Sequence, residues 1–162
     1  METDKKGLSI IFHSGSYDRI YHGFSIVLVT LALGREVRCF FTYWVLPYLV
    51  KGKPAFQLDE EGRIHQQTLE EHMRKGHMQE ISELLTQAKA MGAKFFVCIN
   101  SVGLLNISRE ELAKEVDKSM RLTTFLAEID QEQILFIEIS TSDLMCPTKG
   151  TQIQTKRDIC FC

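Results

Sequence analysis

Sulfur chemistry needs a thiol that is held as a thiolate and can be reached, and of five cysteines the one at position 98 stands where both could be met. Residues 94–105 read KFFVCINSVGLL. An apolar run stops on Cys98, and Asn100, Ser101 and Gly103 follow at once. If the run is a strand and the next residues open a helix, backbone N–H groups from Asn100 to Gly103 point at the sulfur. The positive end of the helix dipole lies behind them, which favours thiolate over thiol. The same position also suits a small hydrophobe closing the core, and pattern alone leaves both readings open. Cys39 lies inside another apolar run and reads as buried packing, while Cys146, Cys160 and Cys162 fall in a polar tail and read as incidental exposed thiols.

Two further stretches offer polar groups beside such a thiol. HSGSYD follows the first apolar run, and its His13 would face the same rim as Cys98, to stabilise a thiolate, to move a proton, or simply to cap the turn by hydrogen bonds. Ser14, Gly15 and Ser16 form a candidate anion cradle, one glycine and two hydroxyls before a helix start. The glycine spacing of a P-loop or a dinucleotide fingerprint is missing from it. TYW ends the second apolar run, where Thr42 supplies a hydroxyl and Trp44 either a pocket wall or core. His65, His72 and His77 are seven and five residues apart, which matches no compact metal motif. No metal or cofactor is expected, and there is no G-x-S-x-G elbow or paired-carboxylate site.

The elements that must carry these residues follow from periodicity. Short apolar runs at 8–12 (LSIIF), 36–41 (EVRCFF), 95–99 (FFVCI) and 134–139 (ILFIEI) read as four buried strands. Residues 18–33 are apolar nearly all round, with Ser16 or Asp18 as N-cap and Gly34 beyond the end. That length and punctuation predict a helix covered by the sheet and by another subunit. A short helix limited by Pro47 follows the second strand. Residues 51–75 read as a long polar loop that could act as a lid over the site. Met78, Ile81, Leu84, Leu85, Ala88 and Met91 keep helical spacing up to Gly92. Ser108 and Glu111 form a capping box that predicts a helix over SREELAKEV, with another short helix reaching Glu128.

Apolar strands separated by helices indicate an α/β fold, a three-layer sandwich around a mainly parallel sheet of four to five strands, flavodoxin- or Rossmann-like. The expected organisation is one domain over residues 1–139 and a tail over 140–162 that adds an edge strand near 158–161 or hangs loose. In such a sheet the ligand site lies beyond the carboxyl ends of the strands, the rim that HSGS, TYW and CINS would share.

Composition narrows the class. The 162 residues carry a net charge of −2 from interspersed signs, and no basic run exceeds two residues, so nucleic acid and anionic membrane are not expected partners. The most apolar stretches, 24–33 and 39–50, are too short to span a bilayer, and the start METDKKGLSI does not read as a signal peptide. An odd count of scattered cysteines with no Cys-x-x-Cys pair argues against a disulfide framework and points to a reducing cytoplasm.

In this order the motifs resemble the DsrE/DsrF-like sulfur-relay family over roughly residues 8–137. The strand and Ser-Gly loop, the apolar helix ending in Gly, the phrase VRCFFTYWVL and the segment KAMGAKFFVCINSVGLLNI are each similar to the family's pattern. The resemblance implies a small α/β sandwich assembled as an oligomer, with trimers or hexamers favoured for a homo-oligomer. It assigns the sulfur-carrying role to Cys98, as a persulfide, and the motif serine to Ser101. Sulfur-donor and sulfur-acceptor proteins are then the expected partners. The alternative is a non-catalytic oligomeric module that binds an anionic small molecule at the HSGS rim, or a structural subunit of a relay complex.

Overall fold

A computed structural model describes residues 7–52, 56–129 and 131–138. Five strands form one sheet: β1 Leu8–Phe12, β2 Val37–Phe41, β3 Lys94–Cys98, β4 Lys118–Met120 and β5 Gln133–Ile137. Their order is β4-β3-β2-β1-β5, and every neighbouring pair is parallel. Parallel neighbours need crossover connections. These are α1 Tyr17–Ala32 after β1, and α5 Ile99–Leu104 and α6 Leu122–Glu128 on either side of β4. Between β2 and β3 run a 3₁₀ helix Tyr43–Leu49, then α2 Glu60–Arg63, α3 Gln66–Arg74 and α4 Ile81–Ala90.

Alternation along the strands divides the interior into two cores. Ile10, Phe12, Cys39, Phe41, Phe95 and Val97 join Ile20, Phe24 and Val27 of α1 and Leu84, Leu85 and Ala88 of α4 in the larger one. Ile11, Phe40, Phe96 and Cys98 face the other way, against Met120, Phe125 and Ile129. Cys98 therefore lies on the thinner side of the sheet, beneath α6.

The α1 helix passes so close to β1 that a Cβ on Gly23 would overlap the Phe12 ring, which itself stacks on Phe24 and Phe41. Glycine at that helix position is thus a contact requirement. Gly34, at φ 72°, turns the chain out of α1 in the left-handed conformation expected of a residue beyond a helix end.

Three expectations are corrected. Residues 51–75 are not a structureless loop, because they contain α2 and α3. Asp59 caps α2 by accepting the Gly62 N–H at 2.9 Å. Leu69 and Met73, one helical turn apart, set α3 against the larger core, on the opposite side of the sheet from Cys98. A lid over Cys98 is not what this segment forms.

The helix predicted from Ser108 does not form either. The Ser108 N–H donates to Glu111 Oε2 at 2.8 Å, as half of the capping box, but the backbone then pairs with residues 49–51. Ala113 N–H donates to the Leu49 carbonyl, Lys51 N–H to the Glu111 carbonyl, and Val50 and Leu112 form an antiparallel bridge. Leu112 and Val116 give that stretch a single apolar pair at helical spacing, too little to bury a helix face. Lastly, β4 is a strand that only Met120 signals from the core side, and three residues carry no periodicity to read. The possible edge strand near 158–161 lies outside the described residues.

Candidate active site

The chemistry-bearing positions end adjacent strands. Cys98 closes β3 and is the N-cap residue of α5, with φ −70° and ψ 117°. Its extended backbone turns the following amides back toward its own side chain. Thr42 follows β2, the next strand over, and Ser101 stands in the first turn of α5. Thr42 Oγ1 and Ser101 Oγ lie 2.9 Å apart, both buried.

Burial alone raises the Cys98 pKa, but the nearby Ser101 hydroxyl, the Ser101 and Asn100 backbone N–H groups and the Thr42 hydroxyl outweigh it and hold the thiol below its ordinary value. Cys98 itself is 7% exposed. Cys39 provides the contrast within the same fold. Fully buried and without such donors, its thiol is pushed far up by desolvation. Cys39 is packing, and Cys98 is the thiol whose surroundings favour the anion.

Asn100 is exposed at its side chain, so its contribution to the sulfur is the backbone amide. Trp44 is 48% exposed and stands beside Tyr43, which takes φ 54° where the chain leaves β2. Gly15 lies against this corner, and a Cβ there would meet the Trp44 carbonyl oxygen at 2.9 Å. The HSGS and TYW loops therefore do meet, at Gly15 against Trp44 and through the His13 and Tyr43 rings.

His13 is placed elsewhere. Its ring stands between Tyr43, which follows β2, and Phe136 of β5. Two strand spacings separate the ends of β1 and β3, about 10 Å, and the groups acting on the sulfur do not include this histidine. Its Nδ1 is buried without a hydrogen-bond partner among the described residues.

The HSGS loop is tied up internally. Ser14 Oγ accepts the Ser16 N–H at 3.1 Å, and Ser16 Oγ donates to Asp18 and accepts the Asp59 N–H. Tyr17 N–H donates to the Gln57 carbonyl at 2.7 Å. The Ser14, Ser16 and Tyr17 N–H groups and the Ser16 hydroxyl are thus already donating within the protein, and the Asp18 carboxylate stands at the helix start. The loop is a joint between α1, α2 and β5.

No group of three or more His, Cys, Asp or Glu side chains that could hold a metal ion occurs among the described residues. His72 and His77 come together, ring centroids 5.4 Å apart, without a third partner of that kind. Among the same residues no helix is long and apolar enough to cross a membrane. Cys146, Cys160 and Cys162 lie outside the described residues.

Sequence reasoning ranked Cys98 first and named Ser101, but assigned Thr42 no specific partner. Only the register of β2 against β3, Phe41 opposite Val97, shows that the residue after one strand flanks the cysteine ending the other.

Over residues 53–137, more than half of its length, the sequence matches the family described as DsrE/DsrF/DrsH-like. The chain belongs to that family. Two solved structures share its fold. The ychN protein from E. coli is 14% identical and superposes with a TM-score of 0.55, covering 81% of this chain and 98% of that one. MTH1491 from Methanobacterium thermoautotrophicum, described as a protein of unknown function, is 12% identical with a TM-score of 0.56 over the same shares of each chain. No curated protein matches the sequence. At these identities the structural likeness establishes the α/β sandwich and its parallel sheet, and the family supports a connection with sulfur relay.

Proposed function

We propose that this protein is a sulfurtransferase or sulfur carrier in which Cys98 accepts sulfane sulfur as a persulfide and passes it to a partner's thiol. The observation that carries this reading is the place of Cys98 at the end of β3 and the start of α5, near the buried Thr42 and Ser101 hydroxyls, with its thiol held below the ordinary value. In the first step the Cys98 thiolate attacks the outer sulfur of a donor persulfide R–S–SH. A new S–S bond forms, the donor's S–S bond breaks, and R–S⁻ leaves with its electron pair. In the second step an acceptor thiolate attacks the outer sulfur on Cys98, and Cys98 departs as the thiolate it was. No external oxidant or reductant is consumed.

The transfer half is tested by loading the protein, removing the donor and adding a small thiol in excess. The sulfur should leave Cys98 and appear as the small thiol's persulfide. A loaded protein that keeps its sulfur under these conditions contradicts a carrier role.

A second reading, an oligomeric module without turnover, is favoured by the exposed apolar side chains on the thinner side of the sheet. Ile134, Phe136, Leu122 and Leu126 are each 39–56% exposed, and Ile99 lies exposed next to Cys98 itself. Assembly of copies through this side is compatible with sulfur transfer, so the readings differ in whether Cys98 takes up sulfur.

A further inference from the structure

On the face of the sheet away from Cys98, a cavity of about 570 Å³ opens between the start of α1, the 3₁₀ helix, α3 and α4. Its walls include Tyr17, Tyr48, Phe56, Met73, Ile81 and Leu85, which belong to the larger core or pack against it. Cys98, Thr42 and Ser101 do not line it. The volume falls among those of small-molecule sites, about 300–1,000 Å³.

Its rings are fixed by the protein itself. Tyr17 Oη donates to the Gln79 carbonyl at 2.8 Å, and Tyr48 Oη donates to the Gly15 carbonyl at 3.0 Å while accepting the Gln57 N–H. With those hydrogens already donated, the two tyrosines offer an occupant ring surface rather than a donor. The Tyr17 ring centroid stands 5.0 Å from that of Phe56 and 6.4 Å from that of Tyr48. Three aromatic side chains with the Met73 thioether beside them suit an aromatic body.

Charge selects the other end of the occupant. A smaller cavity of about 160 Å³ shares Lys51, Ala113 and Lys114 with the larger one, so the two adjoin. Backbone pairing of residues 111–113 with 49–51 builds that shared wall. Arg109, Asp117 and Lys118 also line the smaller cavity. Asp117 is held by the Lys89 ammonium at 2.5 Å and accepts the Phe95 N–H, and Lys118 lies 3.7 Å from Glu128. Lys51, Arg109 and Lys114 are in no ion pair among the described residues. The carboxylates at the edge of the larger cavity are engaged, Glu80 in the capping box of α4 and Glu115 by the Thr86 hydroxyl at 3.0 Å. The shared wall is therefore the positive one.

We propose that the two adjoining cavities form one binding site for a small molecule with an aromatic body and an anionic group. The body lies among Tyr17, Tyr48 and Phe56, and the anion at Lys51 and Lys114. The site is separate from Cys98 and does not depend on sulfur transfer.

The test is fluorescence titration of the full chain with two dyes that share their rings, 8-anilinonaphthalene-1-sulfonate and the uncharged N-phenyl-1-naphthylamine. Both should bind saturably. Ser82 and Thr86 line the larger cavity from exposed positions one turn apart on α4. S82W should occupy that space and weaken both dyes about tenfold or more, and T86W should do the same if S82W does not fold. K51Q/K114Q should weaken the sulfonate about fivefold, as for two exposed charges, and the uncharged dye less than about twofold. That difference should shrink in about 1 M salt. C98S and F136E should bind both dyes as the parent chain does.

Binding that survives the tryptophan variants but is lost in F136E belongs to the exposed face of β5 and overturns the proposal. A lysine variant that weakens both dyes equally, or neither, overturns it as well, and so does the absence of saturable binding by either dye.

Discussion

Cys98 and Cys39 have the same side chain, lie in neighbouring strands of the same sheet, and are driven in opposite directions. For Cys98, the polar groups of Ser101, Asn100 and Thr42 nearby outweigh burial and lower the pKa from the ordinary 9.0, whereas Cys39 has burial alone. Of these two thiols, alkylation of native protein should thus reach Cys98 and spare Cys39, with a pH–rate inflection at Cys98 below 9.0, as read by peptide mapping after a timed pulse. An inflection at or above that value contradicts the reading. The sign for stability follows from linkage. Because the folded value of Cys98 is depressed, its contribution is complete above the unfolded thiol's 9.0 and is lost as pH falls through the folded value. For Cys39, whose folded value is raised, the contribution is present below 9.0 and is lost as pH rises toward the folded value. The cysteine was legible in the sequence because an apolar run stops on it and polar residues follow. The Thr42 contact was not, because it depends on strand register, which no local pattern encodes.

At the scale of elements, α6 carries the side of the sheet that holds the sulfur. Phe125 is fully buried, with its ring centroid 4.8 Å from that of Phe40 and 5.8 Å from that of Phe96, whereas its neighbour Leu126 is 42% exposed. Phe125→Ala should cost about 3–5 kcal/mol, and Leu126→Ala should stay within about 0.5 kcal/mol, both measured by urea unfolding. Equal effects would mean that α6 does not cover this core. Such elements were readable where apolar spacing is sustained, as in α1 and α4. Residues 108–117 misled because a capping signal was present without enough apolar side chains behind it. Leu69 and Met73 hold α3 with too few apolar residues to stand out from a polar segment.

At the scale of the molecule, the two sides of the sheet are unequal among the described residues. The larger core is closed by α1 and α4, with α3 and the 3₁₀ helix beside them, while the side with Cys98 has α6 and leaves Ile134 and Phe136 of β5 exposed. A single-chain protein seldom leaves such a surface to water. Light scattering of the purified chain should return a mass that is a multiple of the 18.6 kDa chain, and Phe136→Glu should reduce it. A monomer at all concentrations would leave that side for a different partner and contradict self-assembly. The α/β class and parallel sheet were foreseeable from strands alternating with helices. The inequality of the two sides was not, since it turns on how short α6 is and on where β5 joins the sheet.

The central claim is that Cys98 takes up sulfane sulfur, and the most direct measurement is the intact mass of the protein after incubation with a persulfide donor. One added sulfur atom that is absent from Cys98→Ser is the predicted result. No adduct on the parent chain, or an adduct that persists in Cys98→Ser, would contradict it.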